Sequence, residues 1–223
     1  MKILSWNLER PNNNDNSIKN KFIIDLIEKI NPEIIFLTET NSSINFKEYF
    51  CHKSMVLPEI HEGQNYKPGE NRITIFSKFP IENIIETYDS YTAICCRVNS
   101  EIGDLTLYGS IIGSFGGKDK FFKNDLQNQK YEIEDLAENE NVIYSGDLNI
   151  SFSGFPYPSK DVIYEMNDFF NLNSLKNITS GNENSAIHII ASKEILKGKK
   201  LKQEMIEIES QISDHNVILV EMH

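Results

Sequence analysis

In the stretch "YSGDLN" (Tyr144–Asn149) a carboxylate and a carboxamide, Asp147 and Asn149, stand two residues apart. They follow an apolar approach, Asn141–Tyr144, that reads as a buried strand, and side chains two apart on extended backbone share a face. Gly, Asp and Asn are also the commonest turn formers, so this pair taken alone fits a turn as well. Three other predicted strand ends carry polar groups: Asn7 after "KILSW", Glu39 after "EIIFLT", and Asp214-His215 before the apolar run "NVILVEM". Alone, Asn7 reads as a strand-end turn residue and Glu39 as a solvated carboxylate. Together, oxygen and imidazole groups at four strand ends describe one site at the rim of a sheet structure. Glu39 and Asp214, with water and a substrate oxygen, can hold Mg²⁺, which takes one or two carboxylates and keeps its waters. Asp147 can orient an attacking water. Asn7 and Asn149 can position that nucleophile or donate to a phosphate oxygen. A charged His215 can stabilise a pentacoordinate oxyanion.

The elements that must position these residues follow from apolar periodicity. Lys2–Asn7 reads as a short strand and Arg10–Ser17 as a polar loop. Ser17 caps a helix whose Ile18, Phe22, Ile23, Leu26, Ile27 and Ile30 recur at helical spacing, with Pro32 beyond its end. Glu33–Glu39 reads as a buried strand. Arg72–Ile81 reads as one strand stopped by Pro80. Tyr91–Val98 and Leu105–Gly113 read as a hairpin turning near Gly103-Asp104. "SFGGKDK" (114–120) reads as a flexible connection, Asn124–Glu138 as a helix and Val142–Ser145 as the strand into "GDLN". A helical face over Asp161–Phe170, a strand over Ser185–Ser192, a half-exposed strand in "EMIEIES" and a last strand after "SDH" complete the chain. Residues 41–70 carry no clear period, and His61–Asn71 reads as a loop. Two packed sheets with helices outside bury this pattern.

The bulk numbers narrow the classes. A chain of 223 residues with 39% hydrophobic content suits one large domain spanning its whole length, 1–223. The net charge of −11 is unfavourable for non-specific binding of polyanions. The densest basic run, "KGKKLK" (Lys197–Lys202), reads as a solvated loop, or as a local nucleic-acid contact on an acidic body. Cys51, Cys95 and Cys96 have neither a disulfide framework nor zinc spacing, and read as reduced thiols. No secretory leader or membrane-length apolar run is visible. The expectation is a cytoplasmic monomer with no membrane partner.

"SWNLE", "FLTET", "GDLN" and "SDHNVILVE" occur in the order and at the approximate separation found in the endonuclease/exonuclease/phosphatase superfamily, and "RITIFSKFPI" resembles its strand ending in Ser, a basic residue and Pro. The resemblance covers nearly the whole chain. It implies an α/β fold, a four-layer sandwich of two face-to-face, mainly antiparallel sheets with outer helices. It implies a divalent metal, Mg²⁺ or alternatively Mn²⁺, and hydrolysis of phosphodiester or phosphomonoester bonds. Members include apurinic-site endonucleases, secreted deoxyribonucleases, sphingomyelinases and inositol polyphosphate phosphatases. Carried over residue by residue, Asn7 and Glu39 match the family residues at the metal. Asp147 and Asn149 match the pair aligning water and phosphate. Asp214 and His215 match the metal-side Asp and the phosphate-contacting His.

Two departures stand out. Where the family carries an Asp that orients the catalytic His, this chain has Ile187 in "SAIHIIAS"; a one-residue slip gives His188. An Ile cannot accept an imidazole N–H; Glu183 is the nearest substitute in sequence, and His188 reads as a satisfied sheet histidine. Where many members carry a phosphate-touching His or Tyr, the match falls near Ile111, with Tyr108 available in another register. Trp6 reads as packing. The expectation is a slow Mg²⁺-dependent hydrolase of phosphate esters, a nuclease on DNA or RNA by family default. The alternatives are a small-molecule phosphatase or phosphodiesterase, and a binding protein that keeps the fold with weakened turnover.

Overall fold

The computed structural model describes residues 1–14, 17–113 and 120–223. In chain order the elements are β1 (Lys2–Asn7), α1 (Ile18–Ile30), β2 (Ile34–Asn41), β3 (Phe50–Lys53), β4 (Ile60–His61), β5 (Gln64–Asn65), β6 (Glu70–Ser77), β7 (Ile81–Ile85), β8 (Ala93–Ser100), β9 (Gly103–Ile111), α2 (Lys120–Asn139), β10 (Val142–Asp147), α3 (Lys160–Leu172), β11 (Leu175–Asn177), β12 (Ile187–Ser192), β13 (Leu201–Ile206) and β14 (Val217–Met222). They form two six-stranded sheets, ordered β13-β14-β1-β2-β6-β3 and β11-β12-β10-β9-β8-β7, and the small β4–β5 hairpin. Each large sheet has one parallel pair, β1–β2 and β9–β10, and is otherwise antiparallel.

Strand alternation builds the layers. Ile3, Phe36, Ile73 and Ile75 of the first sheet meet Cys96, Leu107, Ile143 and Ile189 of the second in the central core. The intervening residues Leu4, Trp6, Ile35 and Leu37 turn outward onto Ile23 and Ile27 of α1. Cys95, Tyr108, Val142 and Tyr144 turn the other way, onto Phe122 and Ile133 of α2 and Met166 and Phe170 of α3. Four layers result: helix, sheet, sheet, helices. Cys95 and Cys96, adjacent in sequence, serve different cores because successive strand side chains point to opposite faces. Helix α1 starts where its sequence signals it: the Ser17 side chain accepts the Asn20 N–H, and Asn31 closes it in the left-handed region.

Three expectations are corrected. Arg72–Ile81 is not one strand: β6 ends at Ser77 in the first sheet, and after Lys78-Phe79-Pro80 the chain opens β7 on the second. The stretch read as unclear or as loop contains the edge strand β3 and the β4–β5 hairpin. "KGKKLK" is partly strand, since β13 begins at Leu201. The expected flexible connection at "SFGGKDK" lies outside the described residues, apart from Lys120 at the start of α2. No helix among the described residues is long and apolar enough to cross a membrane.

Candidate active site

β1 and β2 run parallel, so Asn7, at the end of β1 and opposite Thr38 in the register, comes to the same edge of the first sheet as Glu39, which is not the strand end the sequence suggests but lies two residues before β2 ends at Asn41. β14 runs antiparallel to β1 and starts at that edge, which brings Asp214 and His215 there. β10 of the facing sheet ends at the same rim. The Asn7 Nδ2 donates to Asp147 Oδ2 at 2.8 Å, across the two sheets. Gly146, just before Asp147, is required by the neighbouring strand β9: at φ 144°, a Cβ there would fall 1.9 Å from the Ser110 carbonyl oxygen. Asn149 then turns back with φ 50°. Its N–H donates to Asp147 Oδ1 at 3.0 Å, and its Nδ2 donates to the Ile112 carbonyl at 2.8 Å. Both Asp147 oxygens are thus held, and the group is buried.

Glu39 is reoriented by its own backbone. It adopts φ 51°, and the β2–β6 ladder passes from Thr38↔Ile73 to Thr40↔Asn71, leaving Glu39 facing Arg72. Burial first, then the charge of Asp147, pushes the Glu39 carboxyl above the usual range, with Asn7, His215 and Arg10 pulling it back. Burial likewise raises Asp147, while His215, Asn7 and the Asn149 N–H oppose the rise. Two carboxylates held this way want a cation.

Ile187 lies directly opposite Asp147 in the β10–β12 register and is buried in the central core, so it gives the imidazole of His215 no partner. Glu183 is exposed and bridges Ser153 instead. His215 is fixed by other means. Its carbonyl accepts the Trp6 Nε1–H at 3.0 Å, and its N–H donates to Ser213 Oγ at 3.1 Å, while that hydroxyl donates to the Asn7 carbonyl at 2.8 Å. Its ring Nε2 lies 3.3 Å from Asp214 Oδ1, a side chain that is 65% exposed. Trp6 is packing, as expected, and also a brace for His215.

His188 is a satisfied sheet histidine. Its Nε2 lies 2.9 Å from the carbonyls of Ile150 and Ser185, and its Nδ1 lies 3.2 Å from Thr179 Oγ1. Burial pushes it down to about 4. Tyr108 is excluded from the site: it is buried under α2 with its hydroxyl on Glu132. Ile111 lines the cleft beside Glu39, with Gly113, Arg10 and Arg72. The basic run is also excluded. Leu201 pairs with Met222 and Ile206 with Val217, so Lys197–Lys200 sit at the end of β14 away from His215, about 20 Å along the strand.

Some residues at the site were not foreseen. Lys19 Nζ donates to the Glu9 carbonyl at 3.0 Å and feels the charges of Glu9, Asp214 and Glu39. Arg72, buried, reaches Thr92, Glu62 and Tyr66. "ER" after "SWNL" and "ENR" before "ITIF" were visible as charges next to strand ends; only the register shows that they face the cleft.

Among the described residues no three His, Cys, Asp or Glu side chains converge into a ready-made cage. The donor set is oxygen only and is carboxylate-poor. It does not fit tetrahedral zinc, but it fits a hard cation that retains water.

A four-layer sandwich with an acidic, amide-braced cleft at the rim of its two sheets defines a phosphoesterase-like class. Residues 4–171 match the Endonuclease/Exonuclease/phosphatase family, and the chain belongs to that family, whose members are hydrolases of phosphate esters. Among solved structures it resembles an AP endonuclease from Archaeoglobus fulgidus (14% identity, TM-score 0.69, covering 100% of this chain and 99% of that one). It is similar to a 3′ phosphatase, NExo, from Neisseria, bound to a product DNA hairpin (13%, 0.69, 100% and 99%). It is also similar to a beta toxin from Staphylococcus aureus (15%, 0.64, 100% and 99%). No curated protein sequence matches the chain. At these identities the structural likeness speaks for the fold.

Proposed function

We propose that the chain is a divalent-metal-dependent hydrolase of phosphate esters. The observation that carries this reading is the Asp147 carboxylate, buried at the rim and held across the two sheets by Asn7, with Glu39 close enough that the Asp147 charge helps to push its carboxyl up. Glu39 would hold Mg²⁺ or Mn²⁺ with Asp214 on the same side and the Asn7 oxygen adjacent. The bound ion supplies Lewis-acid polarisation of a phosphoryl oxygen. The chain's own residues do the rest. Asp147, with Asn7 fixing one oxygen, accepts an O–H of the attacking water and aims it in line with the leaving oxygen. Asn149 sets the second Asp147 oxygen through its N–H and faces the phosphate. His215, its backbone held by Trp6 and Ser213 and its ring beside Asp214, places its imidazole against the charge that develops on the phosphoryl oxygens.

The Ile at position 187 favours a second reading, a phosphate-ester binder with weakened turnover. One assay separates the two: hydrolysis of bis(p-nitrophenyl) phosphate and p-nitrophenyl phosphate by metal-stripped protein, with and without added Mg²⁺, beside Asp147→Ala. Hydrolysis that requires Mg²⁺ and drops at least 100-fold in Asp147→Ala supports the enzyme. Turnover by neither form, with metal bound, supports the binder.

A further inference from the structure

The ladder between β10 and β12 ends at Asp147, opposite Ile187, with one more backbone bond beyond it, from the Leu148 N–H to the Ala186 carbonyl at 2.9 Å. Past that point the chain turns at Asn149, with φ 50°. Ile187 packs in the central core, whereas Leu148 and Ile150 pack in the core under α2 and α3. Alternation along β12 puts His188 on that same rear side of the sheet. The ring is fully buried there and reaches back to the turn. Its Nε2 lies 2.9 Å from the carbonyl of Ile150, the residue after Asn149, and 2.9 Å from the Ser185 carbonyl.

The orientation of the ring is fixed from several sides. Carbonyls only accept, so Nε2 carries the proton and shares it between the two. Burial keeps the imidazole uncharged, which leaves Nδ1 an acceptor. Thr179 Oγ1, 3.2 Å from Nδ1, accepts the Ile189 N–H at 3.0 Å. Its own proton goes to Nδ1, since Asn177 Oδ1 already accepts the Thr179 N–H. The Phe152 ring meets the imidazole edge to face, with centroids 4.8 Å apart and planes at 86°. The turn is thus anchored on both flanks: Asn149 Nδ2 donates to the Ile112 carbonyl at 2.8 Å on the β9 side, and His188 holds Ile150 on the β12 side. Held between them, the Asn149 N–H donates to Asp147 Oδ1 at 3.0 Å. Without the imidazole the buried Ile150 carbonyl loses its donor, a loss the turn relieves only by moving.

We propose that His188 is a positioning residue of the active site: from the rear of the second sheet it fixes the Leu148–Ile150 turn, and with it the Asn149 N–H that aims Asp147. It acts through the turn and lies behind the sheet from the cleft. The assignment rests on the phosphoesterase reading for what Asp147 and Asn149 do, and adds a residue outside the cleft on which their placement depends.

The test uses the full chain with Mg²⁺ and bis(p-nitrophenyl) phosphate. It compares wild type with His188→Phe, which keeps a ring and has no donor, and with His188→Gln, whose amide N–H can stand where the Nε2–H stands. His188→Phe is expected to lower kcat about tenfold and to move KM and Mg²⁺ affinity by no more than about twofold, because aiming the water matters in the transition state. His188→Gln should recover most of kcat. Amide hydrogen exchange by NMR reads the turn without turnover. In His188→Phe the Asn149 amide should exchange about tenfold faster. The Leu8 amide, bonded to the Thr38 carbonyl at 3.0 Å on the same rim of the other sheet, should keep its wild-type rate. Should His188→Phe fail to fold, Thr179→Val, which removes the hydroxyl on Nδ1, makes the same comparison, with about a threefold change in each readout. A folded variant with unchanged kcat and unchanged Asn149 exchange overturns the proposal. So does a loss of kcat that His188→Gln fails to recover and that comes with faster Leu8 exchange, the mark of general loosening. Mg²⁺-dependent turnover with unmoved Asn149 exchange leaves the hydrolase standing without the positioning role. Faster Asn149 exchange in a chain whose wild type turns over no ester leaves the turn held by His188 and overturns the hydrolase reading.

Discussion

Replacing Asp125 with asparagine should stabilise the protein at neutral pH and leave it nearly unchanged at pH 4. Asp125 lies on α2, 2% exposed, with Oδ2 accepting the Gly113 N–H at 2.8 Å and Oδ1 accepting the Tyr88 hydroxyl at 3.0 Å. Burial pushes its carboxyl up to about 6 from 3.8; the bonds from Gly113 and Tyr88 oppose the rise, Glu62 adds to it and Arg72 subtracts. A raised carboxyl means that the folded state holds its proton more tightly than the unfolded state. Between these two values the folded protein carries more protons, so stability falls as pH rises, and above about pH 6 the whole penalty is present. Roughly two units at 1.36 kcal/mol each gives about 3 kcal/mol. Asparagine keeps an acceptor for Gly113 and offers an amide donor to the Tyr88 oxygen, so most of this should appear as gain. Urea unfolding of wild type and Asp125→Asn at pH 4 and 7.5 reads it directly: a difference of about 2–3 kcal/mol at pH 7.5 that shrinks towards zero at pH 4. A variant less stable than wild type at pH 7.5, or a gain that is the same at both pH values, would refute the reasoning.

Three further outcomes follow from the site. Ile187→Asp, which puts a carboxylate beside Asp147 in the central core, should cost about 3–5 kcal/mol in thermal or urea unfolding and raise kcat/KM about tenfold below its melting transition; a folded variant with no gain in rate means that the Asp214 contact on the ring, on a backbone fixed by Trp6 and Ser213, already orients His215 fully. Glu39→Gln should weaken Mg²⁺ binding at least tenfold by calorimetry, and unchanged affinity would remove Glu39 from the metal. Duplex DNA should bind weakly and lose affinity steeply between 50 and 200 mM salt, read by fluorescence anisotropy; tight binding at physiological salt would show that net charge has been given too much weight.

The strand ends were legible because each follows a strong apolar run, and because two sheets that share a rim bring such ends together. Ser17 and Pro32 marked α1 for the same local reason. What was not legible depends on long-range register. The chain around Ser77–Ile81 is apolar on both sides of Pro80, and nothing local says that it leaves one sheet for the other. Residues 41–70 lack alternation because β3 is an edge strand with mostly exposed residues and the β4–β5 hairpin is only two residues deep on each side. "KGKKLK" carried the right charge for a phosphate contact, but pairing of β13 with β14 places it at the wrong end. Tyr108 had suitable chemistry and an alternation that sent it under α2. Arg72 and Lys19 reach the site from positions whose direction depends on the left-handed turn at Glu39 and on the packing of α1.

The central claim is that Glu39 holds a divalent cation beside the Asn7–Asp147 pair. Crystals of the full chain soaked in Mn²⁺, with data collected near the manganese absorption edge, test it most directly. The account predicts one strong anomalous peak within coordination distance of a Glu39 carboxylate oxygen, on the side facing Asp147 and Asp214, and loss of that peak in Glu39→Gln. A peak elsewhere on the molecule, or a Glu39 site that survives the substitution, would contradict it.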